Sequence, residues 1–165
     1  MILPIVIEPN TILHKKTRTL TSEELKSPKI KELIANMKET MANANGVGLA
    51  APQINEALRI TVIDTGDGIT HTLINPRILL KSFWQQGMFE EGCLSIPGVY
   101  GNVKRPMQIL VTYQDENGAS NTKWVGSMMA RVMQHEIDHL NGILFTERTK
   151  DITNPKQITP DYPHM

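Results

Sequence analysis

Apolar residues at Ile30, Leu33, Ile34, Met37 and Met41 recur at the spacing of one helix face. Ser27 followed by Pro28 supplies a cap and a first-turn proline, and Gly46 is placed to end the helix. Ahead of it, Thr21 with Glu24 reads as a capping box for a short turn. A second helical run is predicted from about Ser127 to Leu140. Met128, Met129, Val132, Met133, Ile137 and Leu140 cover most of its circumference, while Arg131, Gln134 and Asp138 form one polar stripe. A helix this apolar is expected to be buried, and Asn141-Gly142 ends it. Between the helices the period falls towards two. Arg59–Asp64 reads as a strand turning at Gly66-Asp67-Gly68, and His71–Asn75 as another, stopped by Asn75-Pro76. Ile78–Leu80 is a third short apolar run. Met107–Tyr113 alternates, and Asn117-Gly118 predicts a hairpin into Ser120–Val125. Residues 1–20, with Ile5–Ile7 between Pro4 and Pro9, read as an extended arm. Glu90–Gly98 reads as irregular backbone around Cys93. Beyond Lys150, Pro155, Pro160 and Pro163 interrupt any period. One domain over residues 1–150, with a loose tail over 151–165, is therefore expected.

Charge narrows the choice of function. Lys+Arg and Asp+Glu number 17 each, so the net charge is zero. That argues against nucleic-acid binding driven by counterion release and against a basic membrane-binding surface. No apolar run reaches the length of a membrane span. The opening MILPIVIEPN lacks a basic region and is broken by two prolines, so it is not read as a signal or transit peptide. With one cysteine, Cys93, no internal disulfide is available, which fits a reducing, cytoplasmic location. Phe83-Trp84 in a polar segment reads as a surface or interface patch.

The chemistry centres on Gln134–Gly142, QHEIDHLNG. His135 and His139 are four apart, so on a helix both imidazoles share a face, the arrangement a transition metal needs. Glu136 between them is placed to reach a water held by that metal. The fold expected is α+β, with antiparallel or mixed sheets packed around this central buried metal-binding helix. A third protein ligand is required. Cys93, upstream, is the best candidate, since Glu147 and His164 fill the role poorly. A zinc endopeptidase would instead use a downstream ligand, and a structural metal site would not need Glu136. Gly46–Gln53, GVGLAAPQ, contains G-x-G-x-x-A, but a helix precedes it and Pro52 blocks a following one, which excludes a dinucleotide fingerprint. It is either a glycine-rich helix exit or backbone that must approach a ligand closely.

GVGLAAPQ, EGCLS and QHEIDHLNG, in this order, resemble the three motifs of the peptide deformylases, and the likeness extends over residues 2–147. The resemblance implies a hydrolase that removes the N-formyl group from the initiator methionine of new polypeptides. It implies one divalent ion, Fe²⁺ by expectation with Zn²⁺ or Ni²⁺ able to occupy the site, held by Cys93, His135 and His139. Glu136 is then the acid/base, and Gln53 and the Leu94 amide stabilise the oxyanion. Backbone around Val47 and Gly48 would pair with the substrate as an added strand. The methionine pocket would be lined by Phe89, Met128, Val132 and His135, Met128 and Val132 being equally readable as plain core. Arg105 and Asp138 would pair behind the helix, the alternative being a solvated Asp138. Tyr100 stands where many deformylases carry Arg. The proline-rich tail is a poor helix, so ribosome docking is not carried over. A monomer acting on nascent chains, with no nucleic-acid or membrane partner, is expected.

Overall fold

A computed structural model describes residues 1–64, 66 and 68–153. The Gly66-Asp67-Gly68 turn falls partly, and the tail from residue 154 wholly, outside them. The capping box of Thr21 and Glu24 opens α1, Ser22–Lys26. Ser27 then caps α2, Pro28–Asn43, its hydroxyl accepting from Ile30 N at 3.3 Å. The chain leaves α2 through a Gly46 N–H bond to the Met41 carbonyl. It enters β1, Gly48–Ala50, then a 3₁₀ turn at Ala51–Ile54 and β2, Ile60–Ile63. Next come β3 (His71–Lys81), β4 (Gln86–Cys93), β5 (Ile96–Pro106), β6 (Gln108–Gln114) and β7 (Ser120–Gly126). The chain then forms α3, Ser127–Leu140, and a 3₁₀ turn at Phe145–Glu147, and ends its described course in β8, Ile152–Thr153.

Two sheets result, antiparallel at every strand pair. One has the order β1-β2-β3-β6-β7 and the other β4-β5-β8. All four residues of β2 are buried, because the first sheet is covered on both faces. Ile60 and Val62 pack with Ile30, Ile34, Met37 and Met41 of α2. Ile63, on the opposite face, joins Leu73, Ile109 and Val111 against Ala130, Met133 and Ile137 of α3. A third cluster ties Ile96, Val99 and Val103 of β5 to Leu13, Leu144 and Phe145. Helix α3 therefore touches strands of both sheets. The arm is strapped across them by bonds from Val6 N to Gln53 O, Glu8 N to Ser95 O and Thr17 N to Leu140 O.

The structure departs from the sequence reading in four places. His71–Lys81 is one strand rather than two short runs. A bulge between Ile74 and Arg77 absorbs Asn75-Pro76, with Asn75 at φ 53° and its amide bonded to both backbone groups of Leu20. Most of Glu90–Gly98 belongs to the regular β4–β5 hairpin. Its glycines serve close packing: a Cβ on Gly92 would lie 2.9 Å from the ring of the cross-strand Tyr100. Ile152 and Thr153, assigned to the loose tail, pair with Gly101 and Tyr100. The arm read as extended contains a 3₁₀ turn at Thr11–His14, whereas the polar stripe of α3, Arg131, Gln134 and Asp138, is buried with the rest of that helix.

Gly142 closes α3 at φ 73°, where a Cβ would stand 2.6 Å from the His14 carbonyl. Gly142→Ala combines backbone strain with collision against the arm, and is expected to cost well over 1 kcal/mol, read as a lowered urea midpoint at unchanged slope.

Candidate active site

A cleft of about 560 Å³ opens between β1, the β4–β5 hairpin and α3. Three elements bring Cys93, His135 and His139 to it, with one donor atom from each lying within 4.8 Å of the others. Cys93 ends β4, where the register shifts after Gly92 and turns the thiol inward. His135 and His139, one turn apart on α3, have ring centroids 5.0 Å apart. Cys93 Sγ is 3.2 Å from His139 Nε2.

The imidazoles are in different surroundings. His135 Nδ1 donates to Glu91 Oε2 at 3.0 Å, which fixes the tautomer and leaves Nε2 as the donor to a cation. Burial alone would lower its pKa, but Cys93 and Glu91 outweigh burial and raise it. His139 Nδ1 is buried with no hydrogen-bond partner among the described residues. Burial first, then the positive charge of His135 and Arg105, hold His139 well below its ordinary value, so it is a neutral imidazole. One thiol and two imidazoles with converging lone pairs form a donor set suited to a divalent transition metal. No downstream group joins the histidines among the described residues. Glu147 instead accepts from Leu144 N.

Glu136 is 3% exposed and its nearest polar contact is the Thr61 hydroxyl at 3.5 Å. Burial, only partly opposed by His135, pushes its carboxyl up to about 7. Gly48 makes room for it, since a Cβ there would lie 2.3 Å from Oε1. Gln53, on the 3₁₀ turn, accepts from Ala50 N through Oε1 at 2.8 Å. That orients Nε2 towards Ser95 Oγ, 3.2 Å away, and Cys93 Sγ, 3.5 Å away. Leu94 lines the cleft in the turn after Cys93.

Val47, Gly48, Met128 and Val132 also line the cleft. Phe89 does not. It lies one β-repeat from Glu91, half-exposed, with its ring under the Arg131 guanidinium at 4.5 Å. Arg105 and Asp138 do pair, Nη1 to Oδ2 at 2.8 Å. The pair belongs to a larger buried cluster that the sequence reading missed. Arg105 gives its other donors to Glu91, at 2.7 and 2.9 Å, and Arg131 also bonds Glu91. Arg148 embraces Asp138 from the far side. Glu91 is held at about 2, because His135 and Arg105 overcome the upward push of burial. Alternation back from Cys93 along a strand could have revealed Glu91. Arg148 has no local signal.

A family model described as polypeptide deformylase matches residues 2–155. A peptide deformylase of Pelodictyon phaeoclathratiforme is 46% identical over 154 residues, covering 90% of this chain and 79% of that protein. The crystal structure of the Thermotoga maritima peptide deformylase superposes with a TM-score of 0.85 at 36% identity, covering 91% of this chain and 99% of that one. A class I type b peptide deformylase from Acinetobacter baumannii, bound to Met-Ala-Ser, gives 0.85 at 33%, covering 90% and 99%. Alike in sequence and in backbone course over nine-tenths of its length, the chain belongs to the polypeptide deformylase family.

Proposed function

We propose that Glu136 carries the proton in this chain's reaction, beside an ion held by Cys93, His135 and His139. Family membership makes that reaction the hydrolytic removal of the N-formyl group from nascent polypeptides. A bound divalent ion, Fe²⁺ by family precedent with Zn²⁺ or Ni²⁺ as substitutes, would supply Lewis acidity and a more acidic water. Glu136 takes a proton from water as its oxygen adds to the formyl carbon. The C–N bond then breaks, the same proton passes to the amine, and formate leaves. Its raised pKa, near 7, suits a group that must both accept and return a proton at neutrality. Gln53 Nε2–H and the Leu94 N–H are the donors for the oxyanion.

The substrate lies as an added strand along β1, which forms one edge of its sheet, with backbone at Val47 and Gly48 as partners. Its methionine side chain enters between Met128 and Val132, next to His135. The Met-Ala-Ser complex of the Acinetobacter relative supports a peptide in this cleft. Residues 1–153, with β8 in the second sheet, form the catalytic unit. We assign the work to a cytoplasmic monomer acting on nascent chains; none of the described helices is long and apolar enough to cross a membrane. The observation that carries the reading is a buried carboxyl, short of cations, next to three converging metal donors.

Formate release from formyl-Met-Ala-Ser tests it. Glu136→Gln is expected to lower kcat by about 10²–10⁴ with metal content and KM little changed; wild-type turnover in that variant would overturn the assignment. Gly48→Ala should displace the Glu136 carboxyl and cost about 10²-fold in kcat, with the fold intact by circular dichroism. Chelation should abolish turnover and added Ni²⁺ restore it, whereas Cys93→Ala should not be rescued.

A further inference from the structure

We infer that Arg148, on the segment after α3, is a positioning residue for His135, acting through Asp138, Arg105 and Glu91. The inference rests on the reading of His135 as a metal ligand. The route is an unbroken series of charge-assisted hydrogen bonds. Arg148 Nε donates to Asp138 Oδ2 at 3.0 Å, and its Nη2 donates to Oδ1. Asp138 Oδ2 also accepts from Arg105 Nη1 at 2.8 Å. Arg105 turns Nε and Nη2 onto the two oxygens of Glu91, at 2.7 and 2.9 Å. Glu91 Oε2 is the acceptor for His135 Nδ1–H at 3.0 Å.

Geometry makes the far end of this series matter at the near end. A guanidinium is planar and rigid, so Arg105 cannot move towards one carboxylate without leaving the other. Asp138 is buried and needs donors on both oxygens. Arg148 alone serves Oδ1 and shares Oδ2 with Arg105. Without Arg148, Asp138 draws on Arg105 alone, and Arg105 loosens from Glu91, whose Oε2 sets the His135 ring.

A second contact reaches the same ring from the same segment. The Phe145 ring stacks on His135, with centroids 6.2 Å apart at 24°. The Arg148 N–H closes that 3₁₀ turn by bonding the Phe145 carbonyl at 2.9 Å. The segment thus addresses His135 at its face through Phe145 and at Nδ1 through the carboxylates. The Arg148 side chain is 41% exposed, so its removal strands no buried cation.

Nickel-loaded wild type, Arg148→Ala, Arg148→Lys and Arg18→Ala are challenged with a chelator, and metal release is followed alongside formate production. Arg148→Ala should lose nickel about three- to tenfold faster, a step weaker than removal of a direct ligand partner, and kcat should fall with KM unchanged. Arg148→Lys should recover part of the loss, restoring the charge but not the fork. Arg18→Ala, which removes an exposed pair with Glu24, should behave as wild type. In a Glu91→Gln background, Arg148→Ala should add nothing. Wild-type nickel release in Arg148→Ala, or full additivity with Glu91→Gln, overturns the inference. Wild type and Cys93→Ala holding nickel equally would instead remove the metal reading beneath it.

Discussion

Three carboxylates, Glu91, Glu136 and Asp138, are buried around His135, and the protein distributes its guanidinium groups to only two of them. Glu91 receives Arg105, Arg131 and His135; Asp138 receives Arg105 and Arg148. Glu136 receives a threonine hydroxyl at 3.5 Å and no cation. A buried carboxylate without compensation is costly, so its proton affinity rises until the charge is shared with a proton. Glu91 is driven down to about 2 and Glu136 up to about 7. One holds a fixed charge, and the other is free to exchange a proton near neutrality. The difference lies in which donors reach each group, since both are buried.

That distribution depends on close approach. Glu136 escapes the cations because it is directed at β1, where Gly48 leaves the space a side chain would fill. Glu91 meets them because β4 sets it against Arg105 of the paired strand and Arg131 of α3, while its neighbour Glu90 is exposed. The two sheets supply opposite walls: β1 the glycine against the base, β4 the thiol and the fixed carboxylate. Helix α3 touches strands of both, which is why its polar residues are buried rather than exposed.

Much of this was legible in the chain and some was not. The helical period placed α3 at its observed bounds, and the i, i+4 spacing put both imidazoles on one face of it. Capping residues located α2, because caps act within one turn. Glu90–Gly98 was read as irregular because Gly92 and Pro97 flank Cys93, although Gly92 serves a cross-strand contact with Tyr100. Asn75-Pro76 resembles a stop, but a bulge and an asparagine anchored to Leu20 carry the strand past it. Phe89 was assigned to the pocket on position alone, yet Arg131 covers its ring. The pairing of Arg105 with Asp138 was expected, but Glu91, Arg131 and Arg148 were not placed in it, because these partners come from β4, α3 and the segment after it. Such pairing is non-local, and periodicity carries no trace of it.

The cluster has a consequence for His139, which makes no hydrogen bond to it. Two carboxylates, Glu91 and Asp138, stand against three guanidiniums, from Arg105, Arg131 and Arg148, so the group carries one excess positive charge. It lies behind the histidine pair and within range of both rings. Positive potential there opposes a proton on His139, adding to burial, and Arg105 is among the causes of its lowered pKa. His135 escapes the same effect because Cys93 and its direct acceptor Glu91 raise its pKa against burial. The two rings are therefore held in different ways. His139 is kept neutral by the surrounding charge, while His135 is held in one tautomer by a single carboxylate oxygen. The neutral imidazole and the oriented imidazole thus differ in which charged groups reach each ring.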